Sequence, residues 1–165
     1  MIQEIQEYIQ VPIRDVYGDK SVNLSILSHL QKTLEGSCSQ YGYVYPHSIE
    51  VLSWTLGKII TVDSHSKVEF RVTYRFDTLK PCKNDEFTCI LSSKTKMGLL
   101  GFMEYKPPGK SQATEPHQSP LLIIIPDKFI DSIDSYQVGQ TCKVAIVDSR
   151  IKYKSTQIQS VAKIL

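Results

Sequence analysis

An α+β unit followed by an all-β unit is the fold class that three features of this 165-residue sequence predict. An apolar stripe at helical spacing occurs near the amino terminus, in the segment Val22–Leu34. The segment Val68–Phe76 alternates apolar and polar residues without a break. Beyond residue 81, short strand-like runs follow one another with turn residues between them. A boundary falls at Lys80-Pro81, within TLKPCKNDE, because a proline and a polar cluster cannot continue a central strand. The expected units are residues 1–80 and 81–165.

In the first unit, Ile2, Ile5, Ile9, Val11 and Ile13 read as an opening strand, with a short helix as the other reading of their early spacing. Val22, Ile26, Leu30 and Leu34 then recur every fourth residue with Leu27 beside them, which predicts a helix of about four turns with one apolar face. Ser21 or Asp19 caps its start, and Gly36 supplies the left-handed conformation that ends it. Three strands are expected next, at Tyr41–Pro46, Ile49–Ile60 and Val68–Phe76. In the last, Val68, Phe70, Val72, Tyr74 and Phe76 share one face, so the helix is expected to cover one side of an antiparallel sheet.

In the second unit, Phe87–Ser92 and Leu99–Met103 flank SKTKMG, whose Gly98 suits a tight turn. The loop of residues 105–120, YKPPGKSQATEPHQSP, is rich in proline and has no large aliphatic residue, so it adds nothing to a core. Leu121–Ile125 is apolar throughout, as for a strand buried on both faces. A helical or irregular stretch, Asp127–Tyr136, precedes the strands Thr141–Asp148 and Gln157–Ile164. Five short strands with that interruption between the third and fourth are the count and order of a five-stranded barrel of the OB type.

Composition narrows the chemistry. The longest apolar run, Leu121–Pro126, falls far short of the roughly 20 residues of a membrane-spanning helix, so no membrane partner is expected. MIQEIQEYIQ carries Glu4 and Glu7 and lacks the basic and apolar regions of a secretory signal. Cys38, Cys82, Cys89 and Cys142 form no CxxC pair and have no histidine at ligand spacing, which predicts buried free thiols in a reducing compartment and no metal. No Walker loop, GxGxxG, HExxH, GxSxG or EF-hand pattern occurs. His29, His47, His65 and His117 stand apart from one another, and Asp85-Glu86 and Asp131/Asp134 read as turn and helix-start residues. Neither a catalytic residue nor a cofactor is expected. Residues 81–165 hold 11 Lys+Arg against 8 Asp+Glu, whereas residues 1–80 hold 8 against 9, so the basic surplus lies in the second unit.

Several strings resemble one family. LQKTLEGSCSQYGYVY, Leu30–Tyr45, is similar to the helix end, Glu-Gly pair, cysteine and Tyr-Gly-aromatic-Val strand start of the larger stalk subunit of archaeal and eukaryotic RNA polymerases, the seventh subunit of polymerase II, and of its viral relatives. VPIRDVYG, VEFRVTYRFDTLKPCKNDEFTCILSSKTKMGLL and YQVGQTCKVAIVDSRIKYKSTQIQSVAKI extend the resemblance over nearly the whole chain. It implies an amino-terminal tip domain that docks on the polymerase core near the clamp and a cold-shock-like barrel near emerging RNA. Its implied partners are the large core subunits, a small helical stalk partner and nascent single-stranded RNA. Its implied location is the nucleus, or a cytoplasmic factory or virion for a viral member.

The docking set implied is Pro12, Val16, Tyr17, Gly18, Gly36 and Gly42, the first four because an exposed strand-to-helix turn with an aromatic residue makes a wedge. Trp54 reads as core or partner contact. The RNA-binding set is Lys94, Lys96, Lys143, Arg150, Lys152 and Lys154 for phosphates, with Tyr153 or Phe102 offering a ring, since Leu100 stands where the family often has an aromatic. The expected function is a non-catalytic polymerase stalk subunit. A free-standing single-stranded-RNA-binding barrel is the alternative, and exposed apolar residues on the first unit's sheet would favour the stalk subunit.

Overall fold

The computed structural model describes residues 1–16, 21–109 and 115–165. In chain order the elements are β1 (Ile2–Pro12), α1 (Ile13–Val16), α2 (Val22–Leu34), β2 (Cys38–Ser39), β3 (Gly42–Val44), β4 (Glu50–Trp54), β5 (Lys58–Val62), β6 (His65–Leu79), β7 (Glu86–Thr95), β8 (Gly98–Met103), β9 (Leu121–Pro126), β10 (Thr141–Arg150) and β11 (Ile158–Ile164). The chain is mostly β, and none of its described helices is long and apolar enough to cross a membrane. It divides into two compact units, Met1–Glu35 with Val44–Thr78, and Gly36–Tyr43 with Leu79–Leu165.

The first unit is built on β6. Its alternation sends Val68, Phe70, Val72, Tyr74 and Phe76 to one face, and all five are buried. β1 pairs antiparallel along one edge, setting Ile9 opposite Phe70 and Val11 opposite Val68, and both β1 residues are buried too. The opening segment is therefore a strand. Helix α2 packs on β1 and β4 and buries Ile26 and Leu30 of its apolar stripe together with Ser25. Its start is capped by Ser21, whose Oγ accepts from Leu24 N at 3.3 Å, and Gly36 beyond its end has φ +71°. Asp19, the other expected cap, lies outside the described residues. Replacing Ser21 with Ala orphans one amide and is expected to cost about 1 kcal/mol in a denaturant titration.

The run Ile49–Ile60 is not one strand. β4 pairs with Val72–Arg75 and β5 with His65–Glu69, end to end on the edge of β6 away from β1, with a bulge between Val51 and Ser53. Between them the backbone dips onto the sheet: a Cβ on Gly57 would lie 2.5 Å from Val68 Cγ1 and 2.7 Å from Phe70 Cε1. That close approach breaks the strand and turns Leu56 outward, where it is 97% exposed.

The second unit closes five strands in the order β10-β11-β9-β8-β7, with β10 pairing back to β7. Every neighbouring pair is antiparallel except β9–β11, which is parallel. Leu91, Leu99, Leu121, Ile123, Ile125, Val144, Ile146, Ile158 and Ala162 are buried within it. β9 is fully buried on one face only; Leu122 and Ile124, on its outer face, are half-buried. The segment Asp127–Tyr136 holds two single 3₁₀ turns, Asp127–Phe129 and Ile133–Ser135. The short hairpin β2–β3 also brings Gly36–Tyr43 into this unit: Cys38 N donates to Ser155 O and Lys154 N donates to Cys38 O, each at 2.8 Å.

Candidate functional site

Strand direction decides where the cationic residues of the barrel stand. The β7–β8 turn, with Lys94 and Lys96, lies at the end where β9 finishes, since Gly98 sits opposite Pro126. The β10–β11 loop, with Arg150, Lys152, Tyr153 and Lys154, lies at the end where β9 begins, since Ile158 sits opposite Leu121. All six are exposed, but the two groups occupy opposite ends of the barrel. Lys143, opposite Thr88, stands on the β7–β10 wall. The seven basic and aromatic residues are thus spread over the two ends and one wall of the barrel, on hairpins at its ends and edge as their sequence positions predict.

The ring expected on β8 is corrected as well. Phe102 alternates with Leu99 and Gly101 and falls on the outer side with Leu100, yet it is only 5% exposed, flanked by Ile90 on β7 and Leu122 on β9. A base cannot stack on a ring whose faces are already covered. The outer β8–β9 face is instead aliphatic, made of Leu100, Leu122 and Ile124, and the exposed ring of the set is Tyr153, with Lys154 Nζ 5.7 Å from its centroid.

The β10–β11 loop is held rather than loose. Ser155 N donates to Lys152 O, and Ser155 Oγ donates to Gln157 O at 2.8 Å. The Gln157 amide bridges to Pro116 O at 2.7 Å and Ser119 O at 2.9 Å, while Cys38 bonds both Lys154 and Ser155 from the other side. Lys154 takes the left-handed conformation, φ 61°, which such bracing sustains. Two cationic groups and one ring thus stand on a preformed loop, with Arg150 beside them at the end of β10. Cys38, Ser155 and Gln157 escaped the sequence reading because the bonds that join them to distant segments, Cys38 with Lys154 and Ser155 and Gln157 with Pro116 and Ser119, all involve main-chain atoms.

A second surface lies on the first unit. Leu52 and Trp54 of β4 are each about two-fifths exposed and Ile59 of β5 is 60% exposed, with Leu56 in the connection between the two strands. Trp54 is therefore not core filling. Trp54 and Ile59 sit opposite Val72 and Val68, on the sheet's apolar face at its outer edge. Of the expected docking residues, Pro12 ends β1 and Val16 ends α1, both half-buried, and Tyr17 and Gly18 lie outside the described residues. Gly36 and Gly42 present no side chain for docking and have local reasons to be glycine. Gly36 follows the helix, and a Cβ on Gly42, at φ +117°, would come 2.4 Å from Leu79 O.

Among the described residues no three His, Cys, Asp or Glu side chains gather to hold a metal ion. No family model matches the chain, and no curated protein matches it.

Proposed function

We propose that the chain is a non-catalytic stalk subunit of a multisubunit DNA-directed RNA polymerase, attached through its first unit and offering its barrel to nascent RNA. The observation that carries this reading is the run of exposed apolar residues Leu52, Trp54, Leu56 and Ile59 along β4, β5 and their connection at the outer edge of β6. Exposed apolar residues grouped this way serve association with another protein. The residues resembling the stalk family run through both units, and a closed five-stranded barrel with a parallel third-to-fifth pairing is compatible with the OB type. In that fold the loops joining strands one to two and four to five flank the ligand, and here these are the two loops that carry Lys94, Lys96, Arg150, Lys152 and Lys154.

On this reading the core subunits and a small helical stalk partner cover these apolar residues and the β1–α1 corner, and the protein works in the nucleus or, for a viral member, in a cytoplasmic factory. The braced β10–β11 loop with exposed Tyr153 favours the second reading, a free-standing RNA-binding protein.

Affinity purification of the tagged chain from its native cells at moderate and high salt, with mass spectrometry of the retained proteins, separates the two. Large polymerase chains and a small helical protein retained at high salt support the stalk subunit. The Trp54→Ala, Leu56→Asp double variant is then expected to lose them at least tenfold while keeping its fold by circular dichroism. RNA alone, lost at high salt, supports the free-standing binder.

A further inference from the structure

Cys89 on β7 and Cys142 on β10 are direct cross-strand partners, so their side chains leave the wall of the barrel on the same side. Leu91 N donates to Gln140 O and Ile146 N to Asp85 O. Counting by twos from either bond makes Cys89 and Cys142 a hydrogen-bonded pair, with Cα atoms about 5.5 Å apart. That separation lies inside the roughly 4.4–6.8 Å range of disulfides. The two thiols lie close enough to shift each other's acidity. Space is reserved for them, since a Cβ on Gly101 of the neighbouring strand would lie 2.4 Å from Cys89 Sγ.

We propose that Cys89 and Cys142 are a reversible oxidation site that consumes a peroxide and closes into a disulfide across the β7–β10 wall. The roles of the two sulfurs differ. Burial raises both thiols above their ordinary range, Cys89 to about 12, while the neighbouring Cys89 thiol opposes part of the rise at Cys142; Cys142 is half-buried and Cys89 fully buried, so peroxide reaches the Cys142 sulfur first and Cys89 stays the proton donor. The Cys142 thiolate attacks one peroxide oxygen, the O–O bond breaks, and the departing hydroxide leaves as water with the proton that Cys142 released. Cys142 becomes a sulfenic acid. Cys89 sulfur then attacks Cys142 sulfur, the S–O bond breaks, and the hydroxide leaves as a second water with the Cys89 proton. The two sulfurs supply both electrons that reduce the peroxide. A small-molecule thiol reverses the closure by exchange.

The test uses the full chain with the exposed Cys82 replaced, Cys82→Ser, so that Cys38, Cys89 and Cys142 are its only thiols. After hydrogen peroxide treatment, denaturation in N-ethylmaleimide and intact-mass measurement, we expect loss of two hydrogens, a single maleimide adduct at Cys38, and a peptide linking Cys89 to Cys142. The unfolding midpoint should rise by about 5 °C or more. Three adducts, a stable sulfinic acid on Cys142, or a disulfide involving Cys38 would overturn the proposal. Cys142→Ser in the same background should form no crosslink, and a crosslink that persists there would overturn it as well.

Discussion

Gly98→Ala is expected to destabilise the barrel by about 4 kcal/mol, a large part of the roughly 5–15 kcal/mol that holds a domain folded. Two costs add. The residue has φ +139°, a conformation that L side chains rarely adopt, which is worth about 1–3 kcal/mol. The new Cβ would also lie 2.0 Å from Ile125 O, 2.9 Å from Pro126 Cα and 3.0 Å from Asp127 N. All three are main-chain atoms, and Asp127 N is tied to Met97 O at 3.1 Å, so the wall has no flexible side chain to move aside. Denaturant titration of the barrel's transition measures the loss. Gly36→Ala is the matched control, because its φ is also positive, +71°, but nothing lies within 4 Å of its added Cβ. That variant should lose only about 1 kcal/mol. Equal losses at the two positions would show that close approach of the strands is not what demands Gly98.

Lys152→Glu with Lys154→Glu is expected to weaken single-stranded RNA binding about 10- to 100-fold near 0.1 M salt, and to flatten the slope of log affinity against log salt by about 1.4. The reason is counterion release: each phosphate that loses its cation keeps its counterions. Glu is accommodated at both positions, since both are exposed and Lys154 already holds φ 61° with an L side chain. Crosslinking to a labelled oligonucleotide, with polymerase assembly followed separately, gives the readout. Because Lys94 and Lys96 stand at the other end of the barrel, the pair Lys94→Glu with Lys96→Glu tests whether RNA spans both ends. Unchanged affinity in the first pair would remove the β10–β11 loop from the RNA path.

Local signals carried much of the fold. The four-residue spacing from Val22 to Leu34 and the Ser21 cap are properties of one turn after another, and the alternation through Val68–Phe76 needs only the pleat of a strand. The barrel strands were legible as short runs between turn residues, although Leu121–Ile125, apolar throughout, is fully buried on one face only. Register and long-range pairing were not. Nothing in the order of residues says that Gly36–Tyr43, between two elements of the first unit, joins the barrel through Cys38. Alternation put Phe102 on the outer side with Leu100, but its covering by Ile90 and Leu122 depends on which residues face it across β7 and β9. Lys94, Lys96, Lys152 and Lys154 were expected on hairpins at the barrel's ends and edge, but which end each pair takes follows from strand direction. Gly57 was visible as a glycine, yet its contact with Val68 and Phe70 is what splits the strand and exposes Leu56.

The parallel pairing of β9 with β11 also has a consequence during synthesis on the ribosome. β9 is hydrogen-bonded to β8 on one side and to β11 on the other, and β11 is translated some 30 residues later, about 2 to 6 seconds at ordinary elongation rates. Throughout that interval the uncharged segment LLIII offers an unsatisfied edge to any other nascent chain, the composition from which cross-β aggregates grow. Pro120 and Pro126 bracket the segment, and neither has an amide hydrogen to extend a ladder, so templated growth is interrupted at both ends until β11 arrives.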